Sequence, residues 1–305
     1  MEKPLVSICC ISYNHERYIK DALDGFIMQK TDFAFEIVIS DDCSKDGTRA
    51  ILEEYKAKYP NLIRDVSPAQ NLGAFENFTY VQEQAHGKYI ALCEGDDYWT
   101  DSYKLQKQVD ILEADESLML CCTNRMIVSA DKEILKECGT VMNHDEEGRY
   151  NLRDFLNDNH QYPTLCVVYR NSHKDELYTK LRKAKNYCRA DWPLWVLLLS
   201  YGDAYFLNEV TAAYRINPLS VSHNMERVKW AKTYRTILRG LAGVLPPQYA
   251  DVAKDFRDTR WTWLPLMFAY KHEKRYLPMI GCLIIVCLVC PQSLWNAWQN
   301  GKRKG

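Results

Sequence analysis

Over the first 125 residues, short β-branched apolar runs alternate with stretches of helical period. Leu5 to Ile11 is almost unbroken Leu, Val, Ile and Cys, the pattern of a strand covered on both faces. From Glu16 the apolar positions shift to Ile19, Ala22, Leu23, Phe26 and Ile27, which form one stripe of a helix. The alternation then repeats. Phe35 to Ser40 reads as a strand, and a helix starts near Thr48 with Ile51, Leu52 and Tyr55 on one face. Leu62 to Val66 is a weaker strand, and a helix carrying Phe75, Phe78 and Val81 follows it. Lys88 to Cys93 is again a strand, Leu105, Val109 and Leu112 mark a helix, and Leu118 to Thr123 a strand. Strands separated by helices pair in parallel, because each helix carries the chain back across the sheet face. The pattern predicts an α/β fold with a mostly parallel sheet flanked by helices.

Farther along the pattern changes twice. Ser129 to Asn159 is polar, with Asn143-His-Asp-Glu-Glu-Gly-Arg149 at its centre, and reads as a mobile connection over the surface. Pro163 to Tyr169 reads as a strand, Asp191 to Ser200 as a helix, and Ala204 to Leu207 with Thr211 to Arg215 as a closing pair of strands. Beyond Met225 every stretch is helical. The expected division is a first domain over 1–224, with halves 1–125 and 126–224, and a helical C-terminal region over 225–305. Within that region Leu277 to Cys290 is apolar apart from Pro278 and Gly281, flanked by Lys271, Lys274 and Arg275 before and Lys302-Arg303-Lys304 after. It falls short of the ~20 residues of a spanning helix. A buried core helix and a full span are the alternatives to an interfacial segment over 277–298, with Trp295 and Trp298 at headgroup depth and the lysines facing anionic lipid. The interfacial reading is the expectation.

Composition narrows the function. The 305 residues carry 39 Lys+Arg against 40 Asp+Glu, a net charge of -1, so no global field draws the chain onto nucleic acid. Any phosphate must be gripped locally. There are 12 cysteines, yet the opening Met1-Glu-Lys-Pro-Leu-Val-Ser-Ile-Cys-Cys10 lacks the features of a secretory signal. A reducing, cytoplasmic setting with free thiols is expected. Cys287 and Cys290 have redox-pair spacing but sit in an apolar run with no second pair, and read as structural filler.

The chemistry concentrates at three strand ends. Glu94-Gly-Asp96-Asp97 follows the apolar strand Tyr89 to Cys93, and paired carboxylates at such a position suit Mg²⁺ or Mn²⁺ bridging to a phosphate. A polar turn is the alternative. The second strand likewise runs into Asp41-Asp42-Cys-Ser44-Lys-Asp46-Gly47-Thr48, where a carboxylate can accept hydrogen bonds from a base edge or ribose. Turn and N-cap chemistry accounts for Asp46 to Thr48. The first strand ends in Ser12-Tyr13-Asn14, an aromatic face and an amide at the same rim. Three loaded strand ends point to one site.

These residues resemble the family 2 glycosyltransferases of GT-A fold. Val6-Ser7-Ile8 through Ser12-Tyr13-Asn14 matches the opening of the family, and Glu36 to Thr48 matches its Glu-Ile-Val-x-x-Asp-Asp-x-Ser-x-Asp-Gly-Thr motif position for position. Asn71-Leu-Gly73 matches its Asn-x-Gly segment, and Asp96-Asp97, with Lys104-Leu105 beyond, its metal-binding pair. The resemblance covers residues 4–220 and implies a GT-A sheet with a helical C-terminal extension. It implies that Ser12, Tyr13, Asn14, Asp41, Asp42, Asn71 and Asp96 line a nucleotide site. Tyr13 would lie on the base, Asp42 would bond base or ribose, Asp96 would reach ribose or metal, and Asp97 would ligate Mg²⁺ or Mn²⁺. Asp191 stands in Arg189-Ala-Asp191-Trp192, where the family carries Glu-Asp with the Asp as base. Here Ala190 replaces the Glu, and a helix N-cap is the alternative. Tyr214-Arg215-Ile-Asn217 stands where the family shows Tyr-Arg-x-His, which makes His223 a candidate third metal ligand beside the reading of an ordinary histidine. Tyr98, Trp192 and Trp195 are candidate platforms for an acceptor sugar, with core packing as the alternative, above all for Trp195.

The implied reaction is inverting transfer of a sugar from a nucleoside-diphosphate sugar, a UDP-sugar by resemblance, to a saccharide or lipid-linked saccharide hydroxyl in polysaccharide synthesis. A cation on Asp97 would neutralise the leaving diphosphate, and Asp191 would take the acceptor proton. Asp96 and Asp97 are too close to be the flanking acid and base of a glycoside hydrolase. A metal-dependent nucleotidyltransferase and a catalytically dead membrane-bound scaffold are the alternatives. The chain lacks the glycine-rich phosphate loops of the first, and the retention of Asp42, Asp96, Asp97 and Asp191 argues against the second. The expected location is peripheral, on the cytoplasmic face of a membrane.

Overall fold

A computed structural model of the chain describes residues 3–139, 146–157, 162–184, 190–216, 226–258 and 260–289. In chain order the elements are β1 (Val6–Ser12), α1 (Ile19–Ile27), β2 (Phe35–Asp41), α2 (Thr48–Lys58), β3 (Ile63–Asp65), α3 (Ala74–Glu83) and β4 (Tyr89–Leu92). There follow β5 (Tyr98–Trp99), α4 (Lys104–Ala114), β6 (Leu118–Val128), β7 (Ile134–Gly139), β8 (Gly148–Tyr150), α5 (Leu152–Asn157), β9 (Val167–Arg170), α6 (Lys174–Lys183), α7 (Asp191–Leu199) and β10 (Asp203–Arg215). Four helices come last: α8 (Arg227–Ala242), α9 (Ala250–Asp258), α10 (Arg260–His272) and α11 (Tyr276–Val289).

The sheet runs β3-β2-β1-β4-β9-β6-β10-β5, with β7 added to β6 and β8 to β10. β1 lies between β2 and β4 and is parallel to both, which is why its Val-Ser-Ile-Cys-Cys core is buried along its length. β6 and β10 form the other long parallel ladder, while β9, β5, β7 and β8 pair antiparallel, so the sheet is mixed. Register places the site. Ser12 lies beside Asp41, so β1 and β2 end level, whereas β4 stops opposite Cys9 and its Glu94–Asp97 turn continues past the same rim. α1 covers this rim closely: a Cβ on Gly25 would stand 3.0 Å from the backbone N and O of Trp99, so only glycine lets α1 approach β5.

Four features depart from the sequence expectation. Ser129 to Asn159 is not a plain connection, since it contains β7, β8 and α5, and α5 buries Leu152, Phe155 and Leu156. Those three apolar residues are too few to show a period, and the strands are edge additions that need little apolar content of their own. The closing pair is one strand, β10, whose register against β6 slips between Leu207 and Val210 and again between Val210 and Ala212. Exposed Asn208 and Glu209 mark that bulge and break the apolar run. The strand expected from Pro163 begins at Val167, after a 3-10 turn over Thr164–Cys166. α6, with a charged sequence, has no counterpart in the pattern.

The chain forms two compact units, residues 1–178 with 190–219, and residues 179–189 with 220–305. The second has its own core around Val228, Ala231, Leu266, Met267, Tyr270 and Cys282. All described cysteines are free thiols. Cys287 is exposed on α11 rather than filling a core, and Cys290, Trp295 and Trp298 lie outside the described residues. No helix among the described residues is long and apolar enough to cross a membrane.

The parallel strands are cross-tied by Glu36 on β2, which accepts from Ser7 Oγ (2.6 Å), Arg64 Nε (3.0 Å) and the His86 backbone N–H (2.9 Å). Burial raises the pKa of this carboxyl, but the bonds from Arg64, Ser7 and His86 outweigh it and leave the group below its ordinary value of 4.5. Its contribution is therefore present above that value and lost as pH falls through the lowered one. Glu36→Gln is expected to lose about 1–3 kcal/mol in urea unfolding at neutral pH. The gap to wild type should close in acid; a gap that stays constant with pH would refute the ion-based account.

Candidate active site

The loops after β1 and β2 are zipped together. Asn14 N–H donates to Ser44 Oγ (2.8 Å), Lys45 N–H to Asn14 Oδ1 (2.8 Å), His15 N–H to Thr48 Oγ1 (2.9 Å) and Gly47 N–H to Glu16 Oε2 (2.9 Å). Asn14 and Cys43 adopt left-handed backbone, with φ of 56° and 62°, which turns both loops sharply at the rim. Tyr13 projects from this base, 43% exposed. Asn14 is thus a strut of the loop.

The Asp41-Asp42 pair divides its work. Asp41 is buried and receives the Ser44 hydroxyl and N–H. Asp42, also buried, accepts the N–H groups of Leu72 (2.6 Å) and Gly73 (2.9 Å), while Asn71 Nδ2 donates to the Asp42 carbonyl (2.7 Å). These bonds clamp the Asn71-Leu-Gly73 segment against the end of β2.

The β4 turn meets β1 at Gly95, whose N–H donates to Ile11 O (2.9 Å). A Cβ there would stand 2.7 Å from Ile19 Cδ1, 3.0 Å from His15 Nδ1 and 3.1 Å from Ser12 Oγ. Both polar atoms are buried and lack a hydrogen-bond partner. Glycine therefore preserves a small polar recess under the acidic turn. Asp96 points past it, with His15 Nε2 3.8 Å from its carboxylate.

Arg215, at the end of β10, organises the turn from the other side. Its N–H donates to Asp97 Oδ1 (2.7 Å), its Nε to Asp96 O (2.8 Å), its Nη1 to Ala130 O (2.9 Å) and its Nη2 to Asp21 Oδ2 (2.8 Å). The guanidinium is stacked over Tyr18 and Tyr98, 4.7 and 5.2 Å from their ring centroids. Tyr98 is thus held by a cation and half-buried, and burial raises its pKa.

The electrostatics are unbalanced. Burial, then Asp96 and Glu94, push the Asp97 carboxyl well up, against the Arg215 N–H and the charge of Arg125. Glu94, which accepts from Thr164 Oγ1, is pushed up to about 7 by burial and by Asp96 and Asp191. Asp191 is therefore within electrostatic reach of the acidic turn. It opens α7, where Ala190 holds the cap position and no side-chain cap bond forms, so the N-cap alternative fails. Trp192 is buried, its ring 6.3 Å from Phe155. His223 lies outside the described residues. Sequence reasoning gave no role to His15, Glu94, Asp21 or Arg215. His15 follows the quoted Ser-Tyr-Asn, and Arg215 stood in a quoted motif, but only the fold shows what they touch.

A mixed sheet of this order, with the loops after β1, β2 and β4 gathered at one rim, is the GT-A fold. The sequence model of Glycosyl transferase family 2 matches residues 7–177, more than half of the chain, and the chain belongs to that family. It is 36% identical over 241 residues to the uncharacterized protein Rv1520 of Mycobacterium tuberculosis, covering 79% of this chain and 66% of that one. The chain thus spans just under two thirds of that relative. It is 30% identical to Bacillus subtilis TuaG, named for teichuronic acid biosynthesis and glycosyl transfer, over 77% of this chain and 86% of TuaG. Among solved structures, Staphylococcus aureus TarS in complex with UDP-GlcNAc has a TM-score of 0.59 at 18% identity, covering 87% of this chain and 79% of that one. The mannosyltransferase PcManGT of Pyrobaculum calidifontis, in complex with GDP-Man and Mn²⁺, has a TM-score of 0.56 at 15% identity, covering 98% and 85%. At these identities the structures bear on fold alone.

Crowded carboxylates cost stability in the free protein. Asp97→Asn keeps the Oδ1 acceptor for Arg215 and removes the repelled charge. In scanning fluorimetry with EDTA its Tm is expected to rise by about 2–4 °C. A fall would show that Asp97 carries no electrostatic burden.

Proposed function

We propose that the protein moves a sugar from a nucleoside-diphosphate sugar to a hydroxyl of a saccharide or lipid-linked saccharide acceptor, with inversion, in the synthesis of a cell-surface polysaccharide. The observation that carries this reading is the gathering of Glu94, Asp96 and Asp97 in one turn past the rim where β1 and β2 end, with the charge of Asp191 acting on Glu94. The ligands bound by TarS and PcManGT, UDP-GlcNAc and GDP-Man, and the polysaccharide pathway for which TuaG is named support it. UDP is the first nucleotide to test.

No group of three or more His, Cys, Asp or Glu among the described residues could hold a cation unaided. The carboxylates nevertheless fit one, since burial and the charges of Asp96 and Glu94 raise the proton affinity of Asp97, and the Arg215 N–H and the charge of Arg125 offset this only in part. Asp97, with Asp96, would hold Mg²⁺ or Mn²⁺. When bound, such an ion neutralises charge growing on the departing diphosphate.

The chain's own groups supply the rest. Tyr13 offers its exposed ring to the base, and Asp41, Asp42, Asn71 and Asn14 fix the loops that shape the base and ribose site. Ser12 Oγ and His15 Nδ1 are free to bond a polar group entering the recess at Gly95. An acceptor hydroxyl attacks only as its proton leaves, and Asp191 is the carboxylate assigned to take it. A single displacement opposite the leaving group inverts the anomeric centre. Tyr98 is the acceptor contact, with Trp192, packed against Phe155, as the second aromatic candidate. Exposed Leu277 and Ile280 on α11, with Lys271, Lys274 and Arg275 before them, favour a peripheral position on the cytoplasmic face of a membrane.

Thermal shifts against UDP, GDP, TDP and CDP, each with Mn²⁺ and with EDTA, test the donor site without an acceptor. One nucleotide is expected to raise the Tm only with Mn²⁺; no response to any of the four would remove the donor assignment. In transfer assays Asp97→Ala and Asp191→Asn should each cut turnover at least about 100-fold. Only Asp97→Ala should abolish the metal-dependent shift, and near-normal turnover of Asp191→Asn would exclude it as base.

A further inference from the structure

The helical unit holds a cavity of about 450 Å³ that the catalytic reading does not use, a size typical of small-molecule sites. One wall is cationic. Lys232, Arg235 and Arg239 share one face of α8 at i, i+3 and i+7. None of the three has an ion-pair partner among the described residues, although the same unit does pair Arg275 with Glu273. Arg235 lies over the ring of Trp263, 3.8 Å from its centroid, and its Nε is buried without a hydrogen-bond partner. Burial and the neighbouring charge of Arg239 both lower its pKa, so the guanidinium sits where a cation is disfavoured. The opposite wall is apolar, with Leu266 from α10 and Pro278 and Ile285 from α11. Beyond it, α11 leaves Leu277 84%, Ile284 54% and Ile280 46% exposed.

Uncompensated cations at the mouth of an apolar cavity match an anion with a hydrocarbon tail. We propose that this cavity takes the phosphate head of an anionic diacyl phospholipid. The phosphate would meet Lys232, Arg235 and Arg239, and the start of an acyl chain would lie along Leu266, Pro278 and Ile285. The exposed side of α11 then rests in the same bilayer leaflet. A free phosphate shares the head chemistry but leaves the apolar wall and α11 uncovered. This inference rests on the membrane part of the preceding reading and is independent of its catalytic part.

The test is vesicle flotation of the full chain with phosphatidylcholine alone, with added phosphatidylglycerol, and with added polyisoprenyl phosphate, with inorganic phosphate as competitor. Wild type is expected to favour the phosphatidylglycerol vesicles. At ~1 kcal/mol per cation near an anionic surface, Arg235→Ala with Arg239→Ala should weaken that binding about 30-fold. Gly281→Leu keeps every charge, adds a better helix former, and fills the cavity mouth from a position with open space around its Cβ site. It should lose the phosphatidylglycerol preference as well, with unchanged circular dichroism. Wild-type-like binding by Gly281→Leu would overturn the cavity in favour of diffuse surface charge. Equal binding to phosphatidylcholine would overturn head recognition while sparing the membrane reading, and no binding to any vesicle would end both. Preference for polyisoprenyl phosphate, or release by inorganic phosphate, would overturn the diacyl lipid as occupant. The nucleotide thermal shifts, read separately, report on the donor site whatever the vesicles show.

Discussion

The acidic turn after β4 keeps its shape because Arg215 grips it from the end of β10. Burying a guanidinium is unfavourable unless its donors are satisfied, and here they are spread over Asp96 O, Ala130 O and the Asp21 carboxylate, with Tyr18 and Tyr98 at its faces. One residue thus ties the turn to α1 and to the segment after β6. Its backbone N–H on Asp97 adds the last bond. The double register slip in β10 serves this arrangement. The part of the strand before the slip pairs with the first half of β6, and the part after it carries β5 on its other edge and delivers Arg215 beside the turn that leads into β5. A straight ladder would place residue 215 farther along the strand.

The same turn shows stability yielding to chemistry. Asp97 is buried beside Asp96 and Glu94 and is acidic only at a cost, and the recess at Gly95 leaves Ser12 Oγ and His15 Nδ1 unbonded. Neither feature helps the free chain fold. Both make sense for a site completed by a polar, phosphate-bearing ligand and the cation proposed to accompany it. By contrast the N–H groups of Asn14, His15, Lys45 and Gly47 are all bonded between the β1 and β2 loops, which form the frame that the turn needs.

Residues 1–125 were legible because their strands are buried on both faces and their helices carry clean stripes. β1, β2, α2 and α4 all fall within a residue or so of where periodicity puts them. The motif residues Asp42, Asn71, Asp96 and Asp97 were legible as a set, but not their division of labour, since nothing in the order of residues says that Asp42 spends both oxygens on the backbone of Leu72 and Gly73. Reading failed where tertiary context replaces local pattern. β7 and β8 draw their hydrogen bonds from long neighbours, α5 rests on three buried residues, and the β10 bulge exposes two polar residues within one strand.

Charge imbalance is the thread joining the two units, with opposite sign. In the first, buried carboxylates crowd one another, so the proposed anionic donor would approach together with positive charge and its affinity would depend on the proposed metal. In the second, Lys232, Arg235 and Arg239 have no ion-pair partner among the described residues, so the proposed anionic head would bind directly and its affinity would depend on ionic strength instead. Formal neutrality over the whole chain conceals both. A net charge of -1 excludes a protein that works through its overall field, and is fully compatible with one that works through two local fields of opposite sign.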